Sequence, residues 1–113
     1  MTVLCISHND ELGRRVLETA RAAAAAIGTD VVVAISPNSV PDFVSAENTV
    51  TLPENQDEAD AILDLAVARN ALLLVVGIRR RSPVGKFLLG SSAQRLILEA
   101  EIPVLTTKES HRD

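Results

Sequence analysis

Two stretches of this chain, DVVVAI at 30–35 and ALLLVVG at 71–77, are apolar without alternating in polarity. A strand with one face in water alternates apolar and polar side chains, whereas a strand covered on both faces has no need to. Such runs are too short to span a membrane, and they read as buried strands of a parallel sheet. Three further short runs fit the same sheet: TVLCIS at 2–7, TVTL at 49–52 and IPVLTT at 102–107. Pro103 falls near the start of the last, where a missing amide costs little. The spacing predicts strands near 2–7, 31–35, 49–52, 71–77 and 103–107.

Helical periodicity fills most of the intervals. Leu12, Val16, Ala20, Ala23, Ala24 and Ile27 mark one face of a helix over 10–27, with Asn9 or Asp10 as its cap and Gly28 as its end. Gly13 is out of place in the first turns of such a helix. A second helix is predicted over 55–69, where Asn55 and Glu58 have the offset of a capping box and Ala59, Ile62, Leu63, Ala66 and Val67 form the apolar face. A third covers 91–101, burying Ala93, Leu96, Ile97 and Ala100. Residues 36–48 carry two prolines and read as a long connection with one helical turn near Phe43. Strands alternating with helices imply right-handed βαβ units, hence an α/β fold with a parallel sheet in one domain over 1–107 and a polar tail at 108–113.

Composition narrows the function. With 113 residues there is room for one core, and a 47% apolar content supplies it. Two Phe and no Trp or Tyr leave little for stacking on bases, so no nucleic-acid partner is expected. The first residues lack the basic flank and long apolar run of a signal peptide, and Cys5 alone makes no disulfide framework; a soluble cytoplasmic protein without a membrane partner is expected. The net charge of −4 hides an asymmetry. Residues 22–68 hold eight acids and no Lys or Arg, while Arg79, Arg80, Arg81 and Lys86 crowd one loop. A dense basic loop on an acidic molecule fits a local anion site better than a broad polyanion surface.

That loop belongs to the most informative segment, GIRRRSPVGKFLLGSSAQR at 77–95, which follows an apolar strand and leads into an amphipathic helix. Gly90 brings bare backbone to the helix start, Ser91 can cap it with Gln94 three residues on, and the hydroxyls of Ser91 and Ser92 can add hydrogen bonds to phosphate oxygens. The segment is no Walker A motif, since Lys86 precedes the terminal Gly-Ser, and the single Gly13 makes no dinucleotide fingerprint. His8 and Asp10, at the end of the first strand, are the remaining polar candidates. No pair of residues identifies a base for an attacking water, so no catalytic residue is assigned, and no metal-ligating constellation is present.

In these residues the chain resembles the universal stress protein family. The family's motif of Gly, two residues, Gly, nine residues, Gly and then Ser or Thr falls here on Gly77, Arg80, Gly90 and Ser91, three matches of four at the family's spacing. Arg79, the FLLGS run at 87–91 and the IPVLTT ending fit as well. The resemblance implies an open five-stranded sheet of order 3-2-1-4-5 with helices on both faces, often dimeric through the last strand. It also implies an adenine nucleotide, ATP above all, with magnesium accompanying its phosphates. The nucleotide would be held by Gly77, Arg79, Arg80, Gly90, Ser91 and Ser92, and by His8, Asn9 and Asp10 in the turn after the first strand. With that order, the first and fourth strands flank the reversal of sheet topology, where open α/β sheets bind ligands. Other family members lack the motif, which leaves a non-nucleotide regulator acting through homodimerisation and protein contacts as the alternative.

Arg80 stands where the family has glycine, and its two possible effects are opposite. A guanidinium reaching phosphate contributes roughly 1.5–3 kcal/mol, so R80A would weaken ATP binding ~10-fold or more and adenosine binding less. If its bulk instead fills the space a glycine leaves open, R80G would tighten ATP binding. The supportive role is expected, and titrations of ATP and adenosine against wild type, R80A and R80G check it; both variants binding ATP as tightly as wild type would refute it.

Overall fold

The computed structural model describes residues 1–44, 48–79 and 89–109. In chain order the elements are β1 (Thr2–Ser7), α1 (Glu11–Ile27), β2 (Asp30–Ile35), β3 (Asn48–Thr51), α2 (Glu58–Ala68), β4 (Ala71–Ile78), α3 (Ser91–Glu99) and β5 (Val104–Lys108). All neighbouring strands pair in parallel, in the order β3-β2-β1-β4-β5. The expected architecture is therefore the observed one. Among the described residues no helix is long and apolar enough to cross a membrane.

The non-alternating runs are explained by two separate cores. Val3, Cys5, Val31, Val33 and Val75 pack beneath α1, against Leu12, Val16, Leu17, Ala20 and Ala24. On the opposite face, Leu4, Ile6, Val32, Ala34, Leu74 and Val76 pack against Ala59, Ala61 and Ile62 of α2 and Leu96 of α3. Successive strand residues point to opposite faces, so each central strand must be apolar at every position. Cys5 is fully buried and packs as a small hydrophobe.

Local chemistry sets the helix boundaries, and two of the expected caps change hands. Asp10 caps α1 as expected, and Gly28 ends it in the left-handed region at φ 85°. Asn55 does not cap α2. Asp57 does, accepting hydrogen bonds from the amides of Ala59 and Asp60. A carboxylate one residue before the first helical turn reaches those amides, and Glu58 is left as the first helical residue. Ser91 likewise lies inside α3, whose cap position is Gly90 with no side-chain hydrogen bond. Among the described residues no helical turn forms at Phe43; its ring instead sits 4.7 Å from the Arg14 guanidinium, against α1. β5 runs through Lys108, and the amide of Glu109 still donates to the Ile78 carbonyl; the rest of the expected tail, 110–113, lies outside the described residues.

Gly13 proves to be a contact residue. A Cβ built there would lie 1.8 Å from the carbonyl oxygen of His8, so α1 starts directly against the end of β1. Helix propensity alone makes G13A stabilising by roughly 0.8–1.0 kcal/mol. Overpacking against backbone, which cannot rotate away, costs about 1–3 kcal/mol or more and opposes it. G13A is expected to be destabilising on balance, seen as a lower urea midpoint at unchanged slope; an unchanged or higher midpoint would count against the close contact.

Candidate functional site

In an all-parallel sheet with helical crossovers, the carboxyl ends of the strands and the N-termini of the following helices share one edge. Here β1 and β4 are neighbours although β1 leads to β2, so the chain leaves them in opposite directions and a crevice opens between. That crevice is a cleft of about 240 Å³. Its floor is Ile6 of β1 and Val76 and Gly77 of β4, with Leu12, Gly13 and Val16 of α1 on one side. Gly90, Ser91, Ser92, Ala93 and Leu96 of α3 form the other, and His8, Asp10, Glu58 and Arg79 stand at the rim. A Cβ on Gly77 would lie 2.9–3.0 Å from Leu12 and Val16, so the bare backbone there is what lets α1 lie across both strands.

Of the nine residues expected at the site, seven line this one cleft: His8, Asp10, Gly77, Arg79, Gly90, Ser91 and Ser92. Asn9 turns elsewhere. Its amide donates to the Ser39 hydroxyl at 2.9 Å and its side-chain oxygen accepts from the Asp42 amide at 3.2 Å, tying the turn to the β2–β3 connection. Arg80 lies outside the described residues, as do Arg81 and Lys86.

Charged side chains organise the rim. Asp10 divides its oxygens: Oδ1 accepts the Gly13 amide at 2.7 Å, and Oδ2 accepts Arg79 at 2.5 Å. Partial burial works against its charge, but the hydrogen bonds from Arg79 and Gly13 together outweigh that and hold the carboxyl below the ordinary aspartate value of 3.8. Arg79 also lies 3.9 Å from Glu109. Across the cleft, His8 Nε2 meets Glu58 Oε1 at 3.2 Å. The hydrogen bond to Glu58 raises the imidazole pKa above 6.5; burial and Arg79 oppose this, and the charges of Glu58 and Asp10 assist it.

Glu58 went unseen as a site residue because its offset from Asn55 gave it a capping role. The available signal was its place at the start of the helix after β3, at the same sheet edge as the other site residues.

The three helix starts differ in charge. α1 and α2 are capped by aspartates and carry acids in their first turns. The first turn of α3 has no acid and no side-chain cap. Among the described residues, its amides and the positive end of its dipole therefore meet no capping side chain, which is the condition for anion binding. Arg95, one turn on, adds no cation for a ligand. It bonds Asp57 at 2.9 Å, Asp60 at 2.6 Å and Glu99 at 3.0 Å, fastening α3 to the start of α2.

Residues 42–108 match the sequence model of the universal stress protein family. A universal stress protein of Mycolicibacterium smegmatis is 52% identical over 56 residues, which span 50% of this chain and 43% of that protein. The universal stress protein structure from Archaeoglobus fulgidus superposes with a TM-score of 0.77 at 26% identity, covering 94% of this chain and 97% of that one. A structure of the universal stress protein from the same organism in complex with dAMP has a TM-score of 0.70 at 22% identity, covering 94% and 96%, and shares the fold.

The two tasks of Asp10 separate by substitution. D10A removes cap and ion pair and is expected to lower stability by about 1 kcal/mol, the usual worth of an N-cap. D10N keeps an acceptor for Gly13 and loses only an exposed pair worth ~0–1 kcal/mol. Because the folded carboxyl is held low, any advantage of wild type over D10N is present above the ordinary aspartate range and lost as pH falls through the lowered value. Urea titrations at neutral and acid pH check both; equal loss in D10A and D10N would refute the cap assignment.

Proposed function

The chain belongs to the universal stress protein family, and from that premise we propose that it is a cytoplasmic stress-response or signalling protein binding an adenine nucleotide, ATP foremost. The observation that carries the proposal is the cleft between β1 and β4, where the uncapped start of α3 faces the Arg79 guanidinium over an apolar floor. The dAMP bound by the Archaeoglobus protein of like fold supports the ligand class. Phosphate would rest on the amides of Ser91, Ser92 and Ala93, with the two serine hydroxyls beside them. The base or ribose would lie on Ile6, Leu12, Val76 and Leu96. At about 240 Å³ the cleft is smaller than the roughly 300–1,000 Å³ usual for small-molecule pockets. It would enclose part of the nucleotide; Arg80, outside the described residues, is the proposed contact for the outer phosphates. Magnesium would arrive bound to the phosphates; among the described residues no group of three His, Cys, Asp or Glu could hold it.

A second reading rests on Arg79, whose guanidinium is already paired with Asp10. If the pair stays closed, the chain would act as a regulator through protein contacts. In either case self-association would run through β5, the open edge of the sheet, where Leu105 is exposed.

Magnitudes favour the nucleotide. Arg79 gives up an exposed pair worth ~0–1 kcal/mol and gains a charged contact worth ~1.5–3 kcal/mol. R79A is therefore expected to weaken dAMP and ATP binding about tenfold while changing adenosine binding little, as measured by calorimetry. Absence of binding of all three ligands to wild type at millimolar concentration would overturn the nucleotide reading in favour of the regulator.

A further inference from the structure

We infer that the His8–Glu58 pair makes anion binding in the β1–β4 cleft proton-linked, the cleft taking its anionic ligand more tightly when His8 carries a proton. The inference rests on the nucleotide reading of the same cleft and adds its regulation.

Geometry supplies the link. His8 leaves the end of β1 and Glu58 stands in the first turn of α2, so their 3.2 Å contact bridges the cleft rim between elements fifty residues apart in the chain. Both line the cleft and both are about one-third exposed, so the pair sits at the boundary between cleft and solvent. Among the described residues, the charged groups acting on His8 are Glu58 from α2, Asp10 from the turn before α1 and Arg79 from the end of β4. The α3 side contributes Gly90, Ser91 and Ser92, none of which titrates near neutrality. With His8 protonated, two cations balance two carboxylates. Once His8 loses its proton, the same four residues carry one net negative charge, and an incoming phosphate meets repulsion.

The hydrogen bond to Glu58 and the charges of Glu58 and Asp10 hold the imidazole proton above its ordinary value of 6.5, moving the transition toward physiological pH. The sign follows from linkage. An anion beside the imidazole favours the charged ring, so affinity is high below the raised pKa and falls as pH rises through it. Neutral His8 can still donate from Nε2 to Glu58, so the contact persists while the charge changes.

Adenosine 3′,5′-cyclic phosphate is a suitable probe because its single negative charge is constant across neutral pH, and adenosine is the uncharged control. Calorimetry on the full chain between about pH 5.5 and 8.5 is expected to show roughly fivefold tighter cyclic-phosphate binding at the acid end, with little change for adenosine. H8Q should flatten the profile whatever its affinity, and E58Q should move the midpoint to lower pH. The imidazole resonances, assigned with H8Q, give a readout without ligand: His8 should titrate above 6.5 and fall in E58Q. Cyclic-phosphate binding that ignores pH overturns the proton link and leaves the nucleotide reading standing. A His8 that titrates at or below 6.5 and ignores E58Q overturns the link with or without ligand. Binding of neither compound at any pH overturns the nucleotide reading and this inference with it.

Discussion

The end of β1 touches the start of α1 with no side chain between them. Gly13 rests on the His8 carbonyl, the buried Ser7 hydroxyl donates to the Gly13 carbonyl at 2.9 Å, and Asp10 closes the turn onto the Gly13 amide. Seven residues of chain are thereby fixed as one rigid turn. α1 leaves it at a height where Leu12 and Val16 reach over the bare backbone of Gly77. A side chain at either glycine would lift the helix, and the α1 core would lose contact with β4. The two glycines, 64 positions apart in the chain, thus set a single dimension, the distance from α1 to the sheet. The floor of the cleft is built at that distance.

Given this floor, the character of the cleft depends on which helix starts are already neutralised. The aspartate caps of α1 and α2 meet the dipoles of their own helices, and each then has a second bond, to Arg79 or Arg95. Arg95 is shared among three carboxylates, so it locks α3 in place without adding charge that a ligand could use. Among the described residues, the start of α3 is left as a fixed donor set without a side-chain cap. Fixed donors favour anion binding because little ordering remains to be done when the ligand arrives.

Much of the fold was legible because burial on both sides leaves a local mark. DVVVAI and ALLLVVG showed covered strands, and the motif spacing from 77 to 91 located the strand end and helix start that border the cleft. The misreadings share a different origin. Asn55 and Asp57 both suit a cap, and the choice fell to whichever side chain the preceding turn aimed at the free amides, which spacing does not encode. Ser91 yielded the cap position to Gly90 for a similar reason. Glu58 belongs to the site only because the topology brings the start of α2 to His8, a contact across fifty residues that no local pattern reveals. Asn9, adjacent to two cleft residues in sequence, faces away because the turn directs its side chain to Asp42. Local periodicity reports burial well; it reports pairings between distant polar groups poorly.

The ion pair between Asp10 and Arg79 looks at first like an obstacle to any anion in the cleft, since it occupies the guanidinium a phosphate would use. The division of labour within Asp10 removes the difficulty. Oδ1 holds the Gly13 amide and Oδ2 holds Arg79, so Arg79 can leave while the cap of α1 stays intact. Glu109 offers the guanidinium a weaker second partner at 3.9 Å, so the arginine also stays tethered at the rim as it exchanges. Asp10 and Glu109 therefore hold Arg79 at the rim, and the cap of α1 does not depend on that arrangement. A phosphate replacing one oxygen of Asp10 would trade an exposed pair for a stronger charged contact, and the α3 amides would add to that gain. On the proposed reading Arg79 would orient the anion, and the backbone at Ser91 and Ser92 would supply further donors.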